Sequence, residues 1–237
     1  MHRKFFFLFV FIVIFVFALF TALHAQSLDV RLEGFGGISA GSTDDPAKSG
    51  EVGFSGGGGI GVSLYLLQFG KIRLGASTGV DFMYLTYTST TKTIPIPVPH
   101  TPSEDLKSDT NYSYLVVPVT IKCAYSLSDS LAAVFDAGPF FGFFLGGKSK
   151  NTYSNEWPPV LVNGEDDLNK DTTEQLDIGL RLAASIELGI NENLSVSPGL
   201  MFDIGFSDTS KDQPIVASSK DTFWKLDAYF AVIYNLF

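Results

Sequence analysis

From Gln175 to Phe206 the chain alternates between apolar and mixed positions. Leu176, Ile178, Leu180, Leu182, Ala184, Ile186 and Leu188 form one wholly apolar parity, set against Gln175, Asp177, Gly179, Arg181, Ala183, Ser185 and Glu187. After Gly189-Ile190-Asn191-Glu192-Asn193 the pattern restarts, with Leu194, Val196, Pro198, Leu200, Phe202, Ile204 and Phe206 against Ser195, Ser197, Gly199, Met201, Asp203 and Gly205. A period of two puts successive side chains on opposite faces, so the pattern predicts two strands joined by a tight turn. Strands of soluble domains usually run about 5–6 residues, and these are more than twice as long with charges on the second face. Such strands suit a membrane crossing, the apolar parity toward lipid and the polar parity toward a barrel interior.

The same alternation recurs along the chain. A first strand spans Leu28 to Ile38, and a second runs from Val52 to about Leu66 after a loop at 40–51 rich in Gly, Ser, Asp and Pro. Leu67 to Gly70 form a turn, and a third strand follows from Lys71 to Tyr87 with Ile72, Leu74, Ala76, Val80, Phe82 and Tyr84 outward. A polar loop at 88–111 precedes a fourth strand, Tyr112 to Tyr125, with Leu115, Val117, Val119, Ile121 and Cys123 outward. Ser126 to Asp129 turn into a fifth strand, Leu131 to Gly147, and a second long loop occupies 148–173. The opening pair supplies the sixth and seventh strands, 207–221 a further loop, and Thr222 to Phe237 the eighth. Connections therefore alternate at about 12, 4, 24, 4, 26, 4 and 15 residues, the asymmetry of short periplasmic turns and long outer loops. The predicted fold class is all-β: an eight-stranded antiparallel up-and-down transmembrane β-barrel with an N-terminal signal peptide. Its edges close because open sheet edges are not tolerated in hydrocarbon.

The N-terminus adds the export signal. Met1-His2-Arg3-Lys4 is followed by Phe5 to Phe20 without a polar residue, then by Thr21-Ala22-Leu23-His24-Ala25. This reads as a signal peptide over 1–25, cleaved before Gln26, and leaves 26–237 as the barrel domain. The alternative is an uncleaved anchor, since the apolar run is nearly a helical span. Without Arg3 and Lys4 the formal charge of −9 becomes −11, which argues against a nucleic-acid partner. The hydropathy, with 22 Phe and 9 Tyr, is spread in alternation, as a barrel spreads its contact with outer-membrane lipid. The single Cys123 excludes an internal disulfide and reads as a small lipid-facing residue.

Charge on the inward parity is the candidate chemistry. Asp29, Arg31, Glu33, Lys71, Arg73, Asp81, Lys122, Asp136, Asp177, Arg181, Glu187, Asp203, Lys225 and Asp227 bring eight acids and six bases to the interior. About eight strands leave a bore just wide enough for side chains to fill, and isolated buried charges are costly. The expectation is a plug of paired charges, with a narrow conductance or a proton or small-ligand site as alternatives. For the same reason Arg in place of Ser185 or Ser197 should be tolerated better than Arg on the lipid face only if the lumen has room. Gly56-Gly57-Gly58-Gly59 lacks the Lys-Ser/Thr pair of a phosphate loop and reads as bending or as room for bulky interior neighbours. Ile94-Pro95-Ile96-Pro97-Val98-Pro99 stiffens its loop or forms a recognition strip. The acidic run Glu165-Asp166-Asp167 with Asp171 lacks the spaced pattern of a calcium loop and reads as a solvated loop. His100 is the one histidine left after leader removal. No catalytic, metal-binding or cofactor-binding residue is assigned, no cofactor is expected, and the chain reads as a non-enzyme.

Tyr114-Leu115-Val116-Val117-Pro118-Val119, Ala137-Gly138-Pro139-Phe140 and Leu176-Asp177-Ile178-Gly179 resemble the motif order of small PorT-like outer-membrane barrels. More broadly, the chain is similar to barrels of the OmpA/OmpX type. That resemblance implies the fold and the bacterial outer membrane, and no activity; two long loops on one side of a plugged barrel lead instead to the expectation of a non-enzymatic scaffold or interaction protein acting through its extracellular loops. The loops at 88–111 and 148–173 are then the expected contact for a protein partner, with a narrow porin-like channel or a lipid-modifying enzyme as alternatives. The resemblance also implies that the C-terminal strand is read by the insertion machinery through a terminal aromatic, here Phe237. Phe237 lies on the parity of Asp227 and Asn235, so either the last strand contains a bulge that resets the parity or the terminal signal is degenerate.

Overall fold

The computed structural model describes residues 27–43, 48–92, 105–153, 164–168, 176–207 and 221–236. The leader reading, the proline-rich strip, His100, Asp171 and Phe237 lie outside the described residues. The elements are β1 (Ser27–Thr43), β2 (Lys48–Phe69), β3 (Ile72–Lys92), β4 (Asp105–Ser128), β5 (Leu131–Tyr153), β6 (Gly164–Leu168), β7 (Leu176–Gly189), β8 (Leu194–Gly205) and β9 (Asp221–Asn235). Each long strand pairs antiparallel with its chain neighbour, β5 pairs with both β4 and β7, and β9 returns to β1. Eight strands thus form a closed ring, and β6 adds to the outer end of β5. The predicted sixth to eighth strands are β7, β8 and β9.

Tight turns set the registers at one end. Phe69 pairs with Ile72 around Gly70-Lys71, where Gly70 has φ 58°, a left-handed backbone that favours glycine. Ser128 pairs with Leu131 around Asp129-Ser130. In the third turn Asn191 Oδ1 accepts from the backbone N–H groups of Asn193 and Leu194 at 3.0 and 2.8 Å, an Asx turn made by the side chain itself. Lys71 accordingly sits exposed in a turn, which corrects its assignment to the interior. β9 pairs from Asp221 to Asn235 without a register shift, so no bulge resets its parity within that span.

At the other end the strands run further than alternation predicts. β1 reaches Thr43 and β2 begins at Lys48, so the loop at 40–51 narrows to 44–47. β3 continues to Lys92 and β4 begins at Asp105, so much of 88–111 is ladder. The interval 148–173 holds the end of β5 and all of β6, with Lys148 opposite Asp167 and Lys150 opposite Glu165. These segments were read as loops because both faces are polar once the wall leaves the membrane, and apolar contrast disappears. The ladder persists on hydroxyl-rich sequence: Thr88 Oγ1 donates to Asp109 Oδ1 at 2.6 Å, and the Ser108 and Ser149 hydroxyls lie 3.0 Å apart.

The parities fall as the pattern predicts. Leu32, Ile60, Ile121, Phe135, Leu200 and Phe230 stand exposed on the outer face, an apolar band that faces hydrocarbon. Tyr125, Tyr234 and Phe69 are exposed beside the short turns and Phe54, Phe143 and Phe206 toward the other end, where aromatic side chains mark membrane interfaces. Inside, the glycines of β2 make room: a Cβ on Gly57 would lie 2.7 Å from the Phe35 ring, and one on Gly59 2.1 Å from Asp81 Oδ1. The lumen has no room at Ser185 and Ser197, which are buried and joined by a hydrogen bond of 2.9 Å. Arg at either position therefore overpacks the bore.

Leu200→Arg and Phe230→Arg should each lose about 2–4 kcal/mol in a denaturant titration from lipid vesicles. Because Ser197→Arg also destabilises, labelling decides the orientation. Leu200→Cys and Phe230→Cys, in a Cys123→Ala background, should resist a water-soluble thiol reagent and be quenched by lipid-borne probes; ready labelling from water would contradict the membrane-facing wall.

Candidate functional site: the barrel lumen

The inward parities build three zones along the bore. Toward the long connections lies an aromatic cluster of Phe35, Met83, Leu85, Tyr112, Tyr114, Val116, Phe140, Phe144, Met201 and Phe223, with Tyr87 and Leu168 packed against it. Tyr87 stacks on Tyr112 with ring centroids 5.9 Å apart, and Phe144 meets Tyr114 edge-on at 5.8 Å. Both are favoured arrangements of ring quadrupoles. These residues fill the outer half of the lumen.

Below the rings runs a chain of opposite charges. Register places Arg181 of β7 beside Asp203 of β8 and Asp203 beside Lys225 of β9. Arg181 Nε and Nη2 donate to the two oxygens of Asp203, both at 2.9 Å, the bidentate geometry in which a planar guanidinium matches a carboxylate. Arg181 Nη1 reaches across the bore to Asp81 Oδ2 of β3 at 2.6 Å. Lys225 Nζ lies 3.1 Å from Asp203 Oδ2 and 2.5 Å from Asp227 Oδ2, and 4.6 Å from the Phe35 ring centroid. Ser55 donates to Asp227 Oδ1. Each of these charged residues is at most 3 % exposed, so the pairs hold together in a medium where one partner alone would be costly.

The third zone is looser. Arg31 Nε lies 2.8 Å from Glu33 Oε2, a contact whose angle is not that of a hydrogen bond. A cavity of about 20 Å³ lies among Arg31, Glu33, Thr120, Asp136 and Arg181, room for one water molecule. Thr120 Oγ1 donates to Asp136 Oδ1 at 3.3 Å and Lys122 Nζ to Ser63 Oγ at 3.2 Å. Tyr65 lies beneath, with the Arg73 guanidinium 4.4 Å over its ring. Asp177 stands apart near the outer end, buried close to Gly205.

Of the charges predicted inside, Asp29, Glu33, Asp81, Lys122, Asp136, Asp177, Arg181, Asp203, Lys225 and Asp227 are buried, and Arg31, Arg73 and Glu187 are half-buried. The structure joins Asp81, Arg181, Asp203, Lys225 and Asp227 into one network. Sequence reasoning missed the hydroxyls that complete the polar interior, Ser55, Ser63 and Thr120; their inward parity was the available signal. The acidic run 165–167 lies in β6, with Glu165 and Asp167 opposite lysines and Asp166 opposite Ser149, so it belongs to a strand and not to a loop. No cluster of metal-ligating side chains occurs among the described residues.

Arg181→Met leaves Asp81 without its cation and Asp203 with Lys225 alone, and should cost about 3–5 kcal/mol in a denaturant titration. Adding Asp81→Asn and Asp203→Asn should recover much of that loss, because the cost lies in the carboxylates left short of positive charge. A triple variant no more stable than Arg181→Met would show that packing, and not charge, dominates.

A family model described as outer membrane protein beta-barrel domain matches residues 24–211, from the start of β1 through β8. No curated protein sequence matches the chain. Among solved structures, the chain is similar to Neisserial surface protein A, with 12 % identity over 86 % of this chain and 96 % of that one and a TM-score of 0.38. It is also similar to OprG from Pseudomonas aeruginosa, with 10 % identity over 90 % and 95 % and a TM-score of 0.41. A third is Ail, the attachment invasion locus protein of Yersinia pestis, with 11 % identity over 87 % and 99 % and a TM-score of 0.33. A closed ring with an apolar outer band, together with a model match over most of its length, shows that the chain belongs to the outer membrane protein beta-barrel domain family of the bacterial outer membrane.

Proposed function

We propose that the protein is a small PorT-like or OmpX-like barrel that acts, without catalysis, as a scaffold or interaction protein through its outer end. The observation that carries this reading is the length of the wall beyond the membrane. A crossing needs about 9–11 residues in a tilted strand, whereas β2 to β5 have 21 to 24. The surplus lies on the side of the long connections, where β6 broadens it, while the aromatic cluster and ion pairs occupy the bore. Such a body presents a rigid surface outside and offers solutes a filled lumen.

In this reading lipid covers the apolar band and the insertion machinery reads the C-terminal strand. A protein partner docks on the loops of 88–111 and 148–173 that the projecting ladder holds out, and nucleic acid is not a partner. Transport is the competing reading, resting on the charges of the lumen.

The test replaces 93–104 and 154–175 by short glycine-containing turns in the full chain, followed by crosslinking on cells of the native host. Folding should survive, since the long strands are paired below both cuts, and capture of an outer partner should be lost. Retention of every partner by the trimmed barrel would overturn the proposal. Folded protein in planar bilayers should show no discrete conductance steps, and reproducible steps that change ion preference in Arg181→Glu would favour the channel. Altered lipid A or phospholipid on expression would overturn the non-enzymatic reading.

A further inference from the structure

The charged side chains at the short-turn end are left out of the ion-pair network, and they meet in one place. A cavity of about 280 Å³ opens there, walled by Asp29, Arg73 and Glu187 of the strands and by Asp129, Asn191 and Glu192 of two turns. Asp29 is 3 % exposed. Among the described residues its carboxylate forms no hydrogen bond or ion pair, and the charges acting on it at longer range are those of Lys122, Glu187 and Arg73. Glu187 Oε2 is buried and also lacks a hydrogen-bond partner among the described residues. Arg73 stacks its guanidinium on the ring of Tyr65, and its buried Nε likewise has no hydrogen-bond partner among the described residues.

Four acids and one base therefore line this cavity, and two of the acids carry carboxylate oxygens that no hydrogen-bond donor among the described residues meets, the cations Lys122 and Arg73 acting on them only at longer range. Buried carboxylates without partners are costly, and a positive ligand offsets that cost by charge-assisted hydrogen bonds. The acids are spread along the cavity, and no three of them converge as a metal site among the described residues. The volume lies near the lower end of the roughly 300–1,000 Å³ typical of small-molecule sites and well above that of a bare ion. The mouth is at the short-turn end, which faces the periplasm in barrels of this class, and the way outward is occupied by the ion pairs and the rings.

We propose that this vestibule binds a small organic cation bearing alkylammonium groups, taken up from the periplasm, with Asp29 and Glu187 as its anionic partners. The site is independent of the outer surface treated above.

Calorimetric titration of the folded full chain in micelles tests this with 1,5-diaminopentane, n-pentylamine and 1,5-pentanediol as probes. Saturable binding is expected for the diamine, weaker binding for the monoamine and none for the diol. Asp29→Asn and Glu187→Gln should each weaken the diamine about tenfold, the loss of one charge-assisted hydrogen bond. Glu192→Gln, in an exposed turn that leaves the wall intact, should weaken it about threefold. Circular dichroism and melting identify any variant that fails to fold, and Glu192→Gln then carries the test. No saturable binding up to about 10 mM, equal binding of the diol, or binding indifferent to all three substitutions would overturn the proposal. Displacement of the diamine by calcium at equal concentration would overturn it in favour of a metal site. Binding of a lysine-bearing pentapeptide without binding of the diamine would overturn it in favour of a protein partner.

Discussion

Every backbone N–H and C=O in the hydrocarbon must find its partner within the protein, because no water is there to supply one. The return of β9 to β1, paired from Asp29↔Asn235 to Thr43↔Asp221, satisfies that condition, and most other features are consequences. Closure leaves each strand with one face to lipid and one to the bore, so apolar residues must occupy a single parity. It also encloses a volume that the inward side chains have to fill. The three zones of the lumen are three ways of filling it: rings, paired charges and a partly open polar vestibule.

The charged zone is better understood as a matching problem than as a store of stability. A buried pair seldom exceeds the desolvation of its members, whereas removal of one member leaves a charge unanswered. Arg181 faces this with Asp203 on the next strand and Asp81 across the bore, and Gly59 across from Asp81 leaves the volume that Asp81 occupies. The glycine run and the charges are therefore one device: small residues on β2 admit large or charged neighbours from β1 and β3. Rings fill the outer end, and at the short-turn end the carboxylates of Asp29 and Glu187 face a cavity. This difference between the two ends separates an outer surface suited to macromolecular contact from an inner vestibule of small-molecule size.

Alternation of apolar and polar positions is a local property, and it alone determined the number of strands in the ring and the parity that faces lipid; the connection lengths it marked off did not all hold, since 40–51 narrows to 44–47. The tight turns carried register as well: Gly189 opposite Ser195 places Arg181 opposite Asp203 by counting along both strands. Most charges of the lumen were legible as inward positions on the same basis. Their partnerships were not. Asp81 meets Arg181 from 100 residues away, and Lys225 meets Asp203 through a register set across a long connection, which no local pattern encodes.

Tertiary structure also decided where the strands end, because beyond the membrane both faces are polar and the period of two loses its hydrophobic contrast. Hydrogen bonds between neighbouring strands carry the ladder on, as at Thr88 and Asp109, and bring the acidic run 165–167 into β6, with Glu165 and Asp167 opposite lysines. The lack of room at Ser185 and Ser197, and the meeting of Asp29 with Glu187 and Arg73 at one mouth, depend likewise on the stagger with which the ring closes. Stagger is a property of the whole sheet: it sets which inward residues of distant strands share a level, and the sequence of any one strand carries no trace of it.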